Sequence, residues 1–267
     1  MAEKSKGVGF SEGDASDSDP DRTELSFVLE KLSLGSAKKK KLLILSLGGV
    51  LVRRFHVADK WKLPKNRSPH ATYGLYYVYK RPFCEEFLRF CLDRFEVGIW
   101  SSAMERNVDV VLNIIMKGLK GKLLFVMDQN DCTDSGFMSL EKKTKPLFFK
   151  DLSKVFQKVN SETDEPPQFS YTNTLLMDDN PYKAFLNPYN TSIFTVTYDP
   201  KDAEDNLLDP KGELCSYLDE LADASDVQEY VKEHPFGQPK IGPSHPDWHF
   251  YKKVAAFVKK TSQNHGI

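Results

Sequence analysis

The feature that most constrains this chain is a series of short, predominantly apolar runs: LLILSL at 42–47, FEVGIW at 95–100, KLLFVM at 122–127, NTLLMD at 173–178 and SIFTVT at 192–197. They lack the strict alternation of a half-exposed strand and are short for a buried helix, so they suit strands covered on both faces. Amphipathic patterns lie between them. PFCEEFLRFCLDRF begins at Pro82, a residue suited to a first helical turn, and AMERNVDVVLNIIMKGL begins at Ala103, with Ser102 as a candidate cap. Strands alternating with helices predict right-handed βαβ units and an open, three-layer, Rossmann-like α/β parallel sheet. Ligands of such sheets bind at the carboxyl ends of the strands, so the residues just after LLIL, GIW and LLM carry the functional question.

Composition removes several classes. Thirty-seven Lys and Arg balance 38 Asp and Glu to a formal net charge of -1, so neither a generic nucleic-acid binder nor a polyanionic tail protein is indicated. The longest apolar stretch, Leu42 to Val52, is broken by Ser46, Gly48 and Gly49 and is shorter than the ~20 residues of a membrane helix, so no span is expected. Residues 1–37 read as an acidic, disordered leader with neither the apolar core of a secretory signal nor an Arg-rich, acid-poor transit sequence. A cytosolic or nuclear location is expected ahead of a mitochondrial one. Four cysteines without metal-type spacing point away from a zinc site or disulfide framework, and Cys84 and Cys91 are expected in the core, reduced. The main domain is expected over 38–200, with a surface loop at 161–173 and a helical tail at 201–267 packed on it. Lys38 to Lys41 could serve as a nuclear import signal but abut a buried strand, so they are read as a solvated strand entrance.

Taken in order, LLILSLGGVLV, GIWSSA, KTKPLFF and LLMDDNPYKAFLNP resemble the four motifs of the haloacid dehalogenase superfamily. The branch they resemble is that of the phosphatases acting on the carboxy-terminal domain (CTD) of RNA polymerase II, including the ubiquitin-like-domain phosphatase. The same fold unit occurs in a mitochondrial inner-membrane translocase subunit. The resemblance spans about residues 38–200. It implies an aspartate nucleophile at the end of the first strand and a second aspartate, two residues on, as general acid and base. It further implies a hydroxyl and a lysine on the phosphoryl oxygens, and a final acidic motif that helps hold Mg²⁺.

Mapped onto this chain, the first motif reads Ser46-Leu47-Gly48-Gly49, and both aspartates are absent. Ser101 or Ser102 fits the hydroxyl position, Asp178 and Asp179 fit the acidic motif, and Lys145 is preferred for the lysine, with Lys150 in FKDLS as second choice. An unassisted serine is a poor nucleophile at neutral pH, and Gly48 brings no side chain to move a proton. Losing a general acid–base group alone typically costs ~10²–10⁴ in rate. The chain therefore reads as a pseudophosphatase that binds or scaffolds phosphoproteins, with Mg²⁺ binding doubtful because a carboxylate ligand is gone. The alternatives are an active Mg²⁺-dependent phosphoserine/threonine phosphatase with a non-standard nucleophile, in which His56 is a remote candidate acid, and a translocase-like import subunit.

Between Arg53 and Arg81 the sequence holds eight Lys or Arg against the single acid Asp59, interleaved with aromatic residues. The resemblance implies that this segment covers the site, where Arg53 and Arg54 could meet phosphate and Trp61, Tyr76 and Tyr77 could take a peptide's apolar groups. A hairpin with solvated lysines, and single-stranded nucleic acid stacked on the rings, are the competing readings; no nucleic-acid module accompanies the latter. The oligomeric state is not legible.

Overall fold

The five apolar runs build one parallel sheet. The computed structural model describes residues 39–141, 143–160 and 167–264, so the leader expected over 1–37 lies outside the described residues, as do positions 161–166 of the expected loop. Strand β1 (Leu42–Ser46) leads into an insert of β2 (Val52–His56), β3 (Ala71–Tyr73) and β4 (Tyr76–Lys80). Helix α1 (Cys84–Arg94) returns to β5 (Glu96–Trp100), and α2 (Glu105–Ile115) to β6 (Phe125–Met127). A hairpin of β7 (Thr133–Met138) and β8 (Pro146–Phe149) precedes α3 (Leu152–Val159), β9 (Thr174–Asp178) and β10 (Ser192–Phe194). Helices α4 (Glu213–Asp223), α5 (Val227–Glu233) and α6 (Trp248–Asn264) follow. The sheet runs β10-β9-β1-β5-β6, all parallel, and the insert is a separate antiparallel sheet in the order β2-β4-β3.

The continuous apolarity of β1 follows from its central place. Leu43 and Leu45 join the layer formed with α1, α2, α4 and α5, while Leu42 and Ile44 join the opposite layer with α3 and Phe169. All four are 0% exposed, so both faces of the pleat are buried and each side chain contributes ~1.5–3 kcal/mol of transfer free energy. A third cluster packs Tyr251, Val254 and Val258 of α6 on Leu147 and Phe149 of β8 and on Tyr182. Cys84, Cys91, Cys132 and Cys215 are all buried free thiols, with burial pushing Cys84 up to about 12. No helix among the described residues is long and apolar enough to cross a membrane.

Three local expectations are corrected. Helix α2 begins at Glu105 behind Met104, and Ser102 does not cap it; the Ser101 hydroxyl instead accepts from the Ala103 amide at 3.2 Å. Pro82 precedes α1 by two residues rather than entering its first turn, and Phe83 takes the left-handed conformation at the cap (φ 59°). The basic run before β1 is not simply solvated: Lys41 is 7% exposed, and its ammonium donates to Ala222 O and Ala224 O at the end of α4. Lys40 likewise donates to Leu92 O in the last turn of α1 at 3.1 Å. Both cations meet the carbonyls that a helix C-terminus leaves open, where positive charge is favoured.

Buried polar contacts fix the loop after β1. Arg81, 4% exposed, pairs with Asp205 at 2.8 Å and also donates to Val50 O and Val196 O. The Tyr198 amide donates to Gly49 O at 2.8 Å, and the Tyr198 hydroxyl donates to Lys80 O at 3.0 Å. These bonds tie the strand-end turn, the insert and the chain after β10 into one wall.

Candidate functional site

At the carboxyl ends of β1, β5 and β9 lies a cavity of about 910 Å³. Of the residues singled out by sequence, Ser46, Gly48, Ser101, Ser102, Lys145, Asp179, Arg53, Arg54 and Tyr76 line it. Asp178 and Lys150 lie beneath, both 0% exposed. Trp61 and Tyr77 stand apart from the lining. Trp61 is exposed on the short turn Val57–Lys62 with the Lys62 ammonium 4.7 Å from its ring centre, and Tyr77 packs beside Phe55, Tyr79 and Tyr198. His56 is spent locally, its Nδ1 accepting from the Ala58 amide at 3.1 Å.

The floor is a chain of charge-assisted hydrogen bonds. Lys150, the residue after β8, donates from Nζ to Ser46 Oγ at 3.1 Å, Trp100 O at 2.7 Å and Asp178 Oδ2 at 2.6 Å. Lys150, the second choice for the lysine position, thus joins the ends of β1, β5 and β9, whereas Lys145, the preferred one, sits one residue before β8 on the cavity wall. Asp178 Oδ1 accepts from Lys183 Nζ and from the Asn180 amide, each at 2.9 Å. Asp179 Oδ1 accepts from Lys183 Nζ at 3.3 Å, and Asp179 Oδ2 accepts from the Thr197 hydroxyl at 2.9 Å. The Asp179 carbonyl accepts from the Gln238 side chain at 3.3 Å, so the segment before α6 also braces the site.

Lys183 is the residue that the sequence reading missed. It lies on the turn Pro181–Ala184, is 4% exposed, and bridges both carboxylates. Burial pulls its ammonium down, but Asp178 and Asp179 outweigh that and hold it well above the ordinary lysine range. Burial likewise pushes Asp178 up, and Lys150 and Lys183 reverse the effect, leaving it far below the usual carboxylate range. Two acids and two ammoniums thus form a neutral, buried quartet.

This floor constrains the chemistry. The Ser46 hydroxyl accepts from Lys150 and donates to Gly48 O at 3.4 Å. Its nitrogen partner is ion-paired with Asp178 at 2.6 Å; burial pulls Lys150 below the ordinary lysine value and the Asp178 carboxylate opposes that, so this nitrogen donates to Ser46 rather than taking its proton. Mg²⁺, which keeps several waters and takes one or two carboxylates in near-octahedral geometry, would have to share Asp178 and Asp179 with the groups that already bind them. Each of the four carboxylate oxygens already accepts a donor from this chain. Among the described residues, no group of three or more His, Cys, Asp or Glu side chains is placed to hold a metal ion.

The rim is cationic. Arg53, Arg54, Arg106 and Lys145 line the cavity, and none forms an ion pair with an acidic side chain among the described residues; Glu141 and Asp179 are the lining acids. Burial, and next the Lys183 ammonium, pull Lys145 below the ordinary lysine value. A recess of about 320 Å³ shares Arg53 and Thr197 with the cavity, and a further one of about 410 Å³ shares Lys201 with that recess. Lys62, Lys65, Arg67 and Lys201 extend the positive charge along them.

A family model described as NLI interacting factor-like phosphatase matches residues 41–228. An uncharacterized FCP1 homology domain-containing protein of Schizosaccharomyces pombe is 28% identical over 214 residues, covering 76% of this chain and 80% of that protein. A Dictyostelium discoideum protein named "Probable C-terminal domain small phosphatase" is 26% identical over 157 residues, 59% of this chain and 42% of the relative. A solved structure of the fission yeast RNA polymerase II CTD phosphatase Fcp1 aligns with 17% identity and a TM-score of 0.41, covering 90% of this chain and 67% of that one.

Proposed function

Because this chain belongs to the NLI interacting factor-like phosphatase family, we propose that it is a non-catalytic member that holds a phosphorylated protein segment without cleaving the phosphate. The observation that carries the reading is the floor of the cavity: Ser46 and Gly48 stand where the family's resemblance calls for two aspartates, and the Ser46 hydroxyl is bound to an ammonium rather than a base. What survives is the binding half of a phosphatase. Ser101 and Ser102 offer hydroxyls, Lys145 and Arg106 offer charge, and both sides of the cavity present them to one volume. A phosphomonoester dianion gains charge-assisted hydrogen bonds there, and the adjoining basic recesses favour acidic or phosphorylated residues next to it.

Calorimetry with a phosphoserine peptide and its unphosphorylated twin tests this. The phosphorylated peptide should bind at least about 10-fold more tightly, since a hydrogen bond to a charged group contributes ~1.5–3 kcal/mol. Lys145→Ala should remove most of that difference, and raising salt should weaken what remains. Equal binding of the two peptides would sink the proposal.

A further inference from the structure

We infer that the Lys183 ammonium takes the place of a divalent cation in this pocket, so that an anionic ligand is bound there without metal. The anion half of this statement rests on the phosphate-binding reading above; the metal half stands on the carboxylates alone.

Positive charge is needed behind a bound phosphate group, and in this floor the chain supplies it. Lys183 Nζ lies 2.9 Å from Asp178 Oδ1 and 3.3 Å from Asp179 Oδ1, reaching the two carboxylates that a hard cation would have to share. A cation bridging Asp178 Oδ1 and Asp179 Oδ1 would have to displace this ammonium and would sit beside a second ammonium on Lys150. With both carboxylates already paired to ammoniums, little uncompensated negative charge is left to attract a divalent ion. Lys183 is also held from the backbone side. Its carbonyl accepts from the Lys150 amide at 2.7 Å and its amide donates to Asn180 O at 3.1 Å, which locks the turn that carries it. Lys183 nonetheless lines the cavity, so its charge lies close to the space where the anion would lie. A tethered cation is present at every metal concentration, and it cannot be removed by a chelator.

The test uses the wild-type protein with MgCl2 alone. A site with a dissociation constant of about 0.1 mM would raise the thermal midpoint by roughly 5–10 °C at about 10 mM Mg²⁺. No saturable heat and a midpoint unchanged within about 1 °C are expected; a saturable shift of several degrees would overturn the inference. Lys183→Ala, which frees the carboxylates, should acquire the Mg²⁺-dependent rise that the wild type lacks, and a folded variant that stays indifferent to Mg²⁺ would also count against the role assigned to Lys183. Phosphoserine peptide titrated in EDTA and in Mg²⁺ should bind equally, whereas tenfold tighter binding in Mg²⁺ would overturn metal independence. Failure of the peptide to bind in either buffer would defeat the proposed function instead, and the MgCl2 titration would still decide the metal question by itself.

Discussion

Lys150→Met is expected to destabilise the protein by about 3–5 kcal/mol, the cost of breaking a buried ion pair by removing one partner. Lys150 is 0% exposed and gives its three donors to Ser46, Trp100 O and Asp178. Methionine conserves much of the volume, so the loss reports charge and hydrogen bonding rather than a cavity. For a chain of this size the thermal midpoint should fall by about 10 °C. Asp178→Asn in the same background should recover part of the loss, because the carboxylate left with fewer partners is then neutral. Acid denaturation supplies a second readout. The folded-state value of Asp178 is depressed, so its stabilising contribution is present above the ordinary carboxylate range and is lost as pH falls through the lowered value. Removing Lys150 raises that value, and the acid unfolding of Lys150→Met should therefore begin at higher pH. A midpoint within about 2 °C of wild type would contradict the floor described here.

Gly49→Ala is expected to be as damaging, and its neighbour to be indifferent. Gly49 has φ of +86°, and a Cβ placed there would lie 1.9 Å from Asp179 Oδ2, an oxygen held by the Thr197 hydroxyl. Backbone strain of this kind costs ~1–3 kcal/mol, before any displacement of Asp179 is counted. Gly48 has nothing within 4 Å of a built Cβ and no positive φ. Gly48→Ala should stay within about 0.5 kcal/mol of wild type. Denaturant midpoints of the two variants test the contrast, and similar midpoints would show that the strand-end turn is not pinned against Asp179.

The architecture was legible because β1, β5 and β9 carry apolar residues that both layers require, and no alternation survives when both faces are covered. Ser46, Gly48 and Asp179 were legible for the same reason: parallel strands deliver their carboxyl ends to one edge. The lysines were harder. Lys145 and Lys150 bracket β8, and the local sequence does not say which of them reaches the ends of β1, β5 and β9; the contacts of Lys150 with Ser46, Trp100 and Asp178 decide it. Lys183 carried a usable signal, an acid four residues earlier at Asp179, but that spacing brings side chains together only when a turn of helix follows, and that turn, Pro181–Ala184, is a single short one. Lys41 was misread because its carbonyl partners lie 181 and 183 residues away in α4 and just past it, a contact no local pattern announces.

The central claim is that the pocket keeps a phosphate it cannot cleave. Its most direct test is ³¹P NMR of a phosphoserine peptide with equimolar protein and Mg²⁺, followed for hours, so that binding and phosphate release are read in one sample. The peptide resonance should shift or broaden on binding while no inorganic phosphate accumulates above a protein-free control. Inorganic phosphate that grows with time, and that disappears when Asp179→Ala replaces the wild type, would establish turnover and contradict the account.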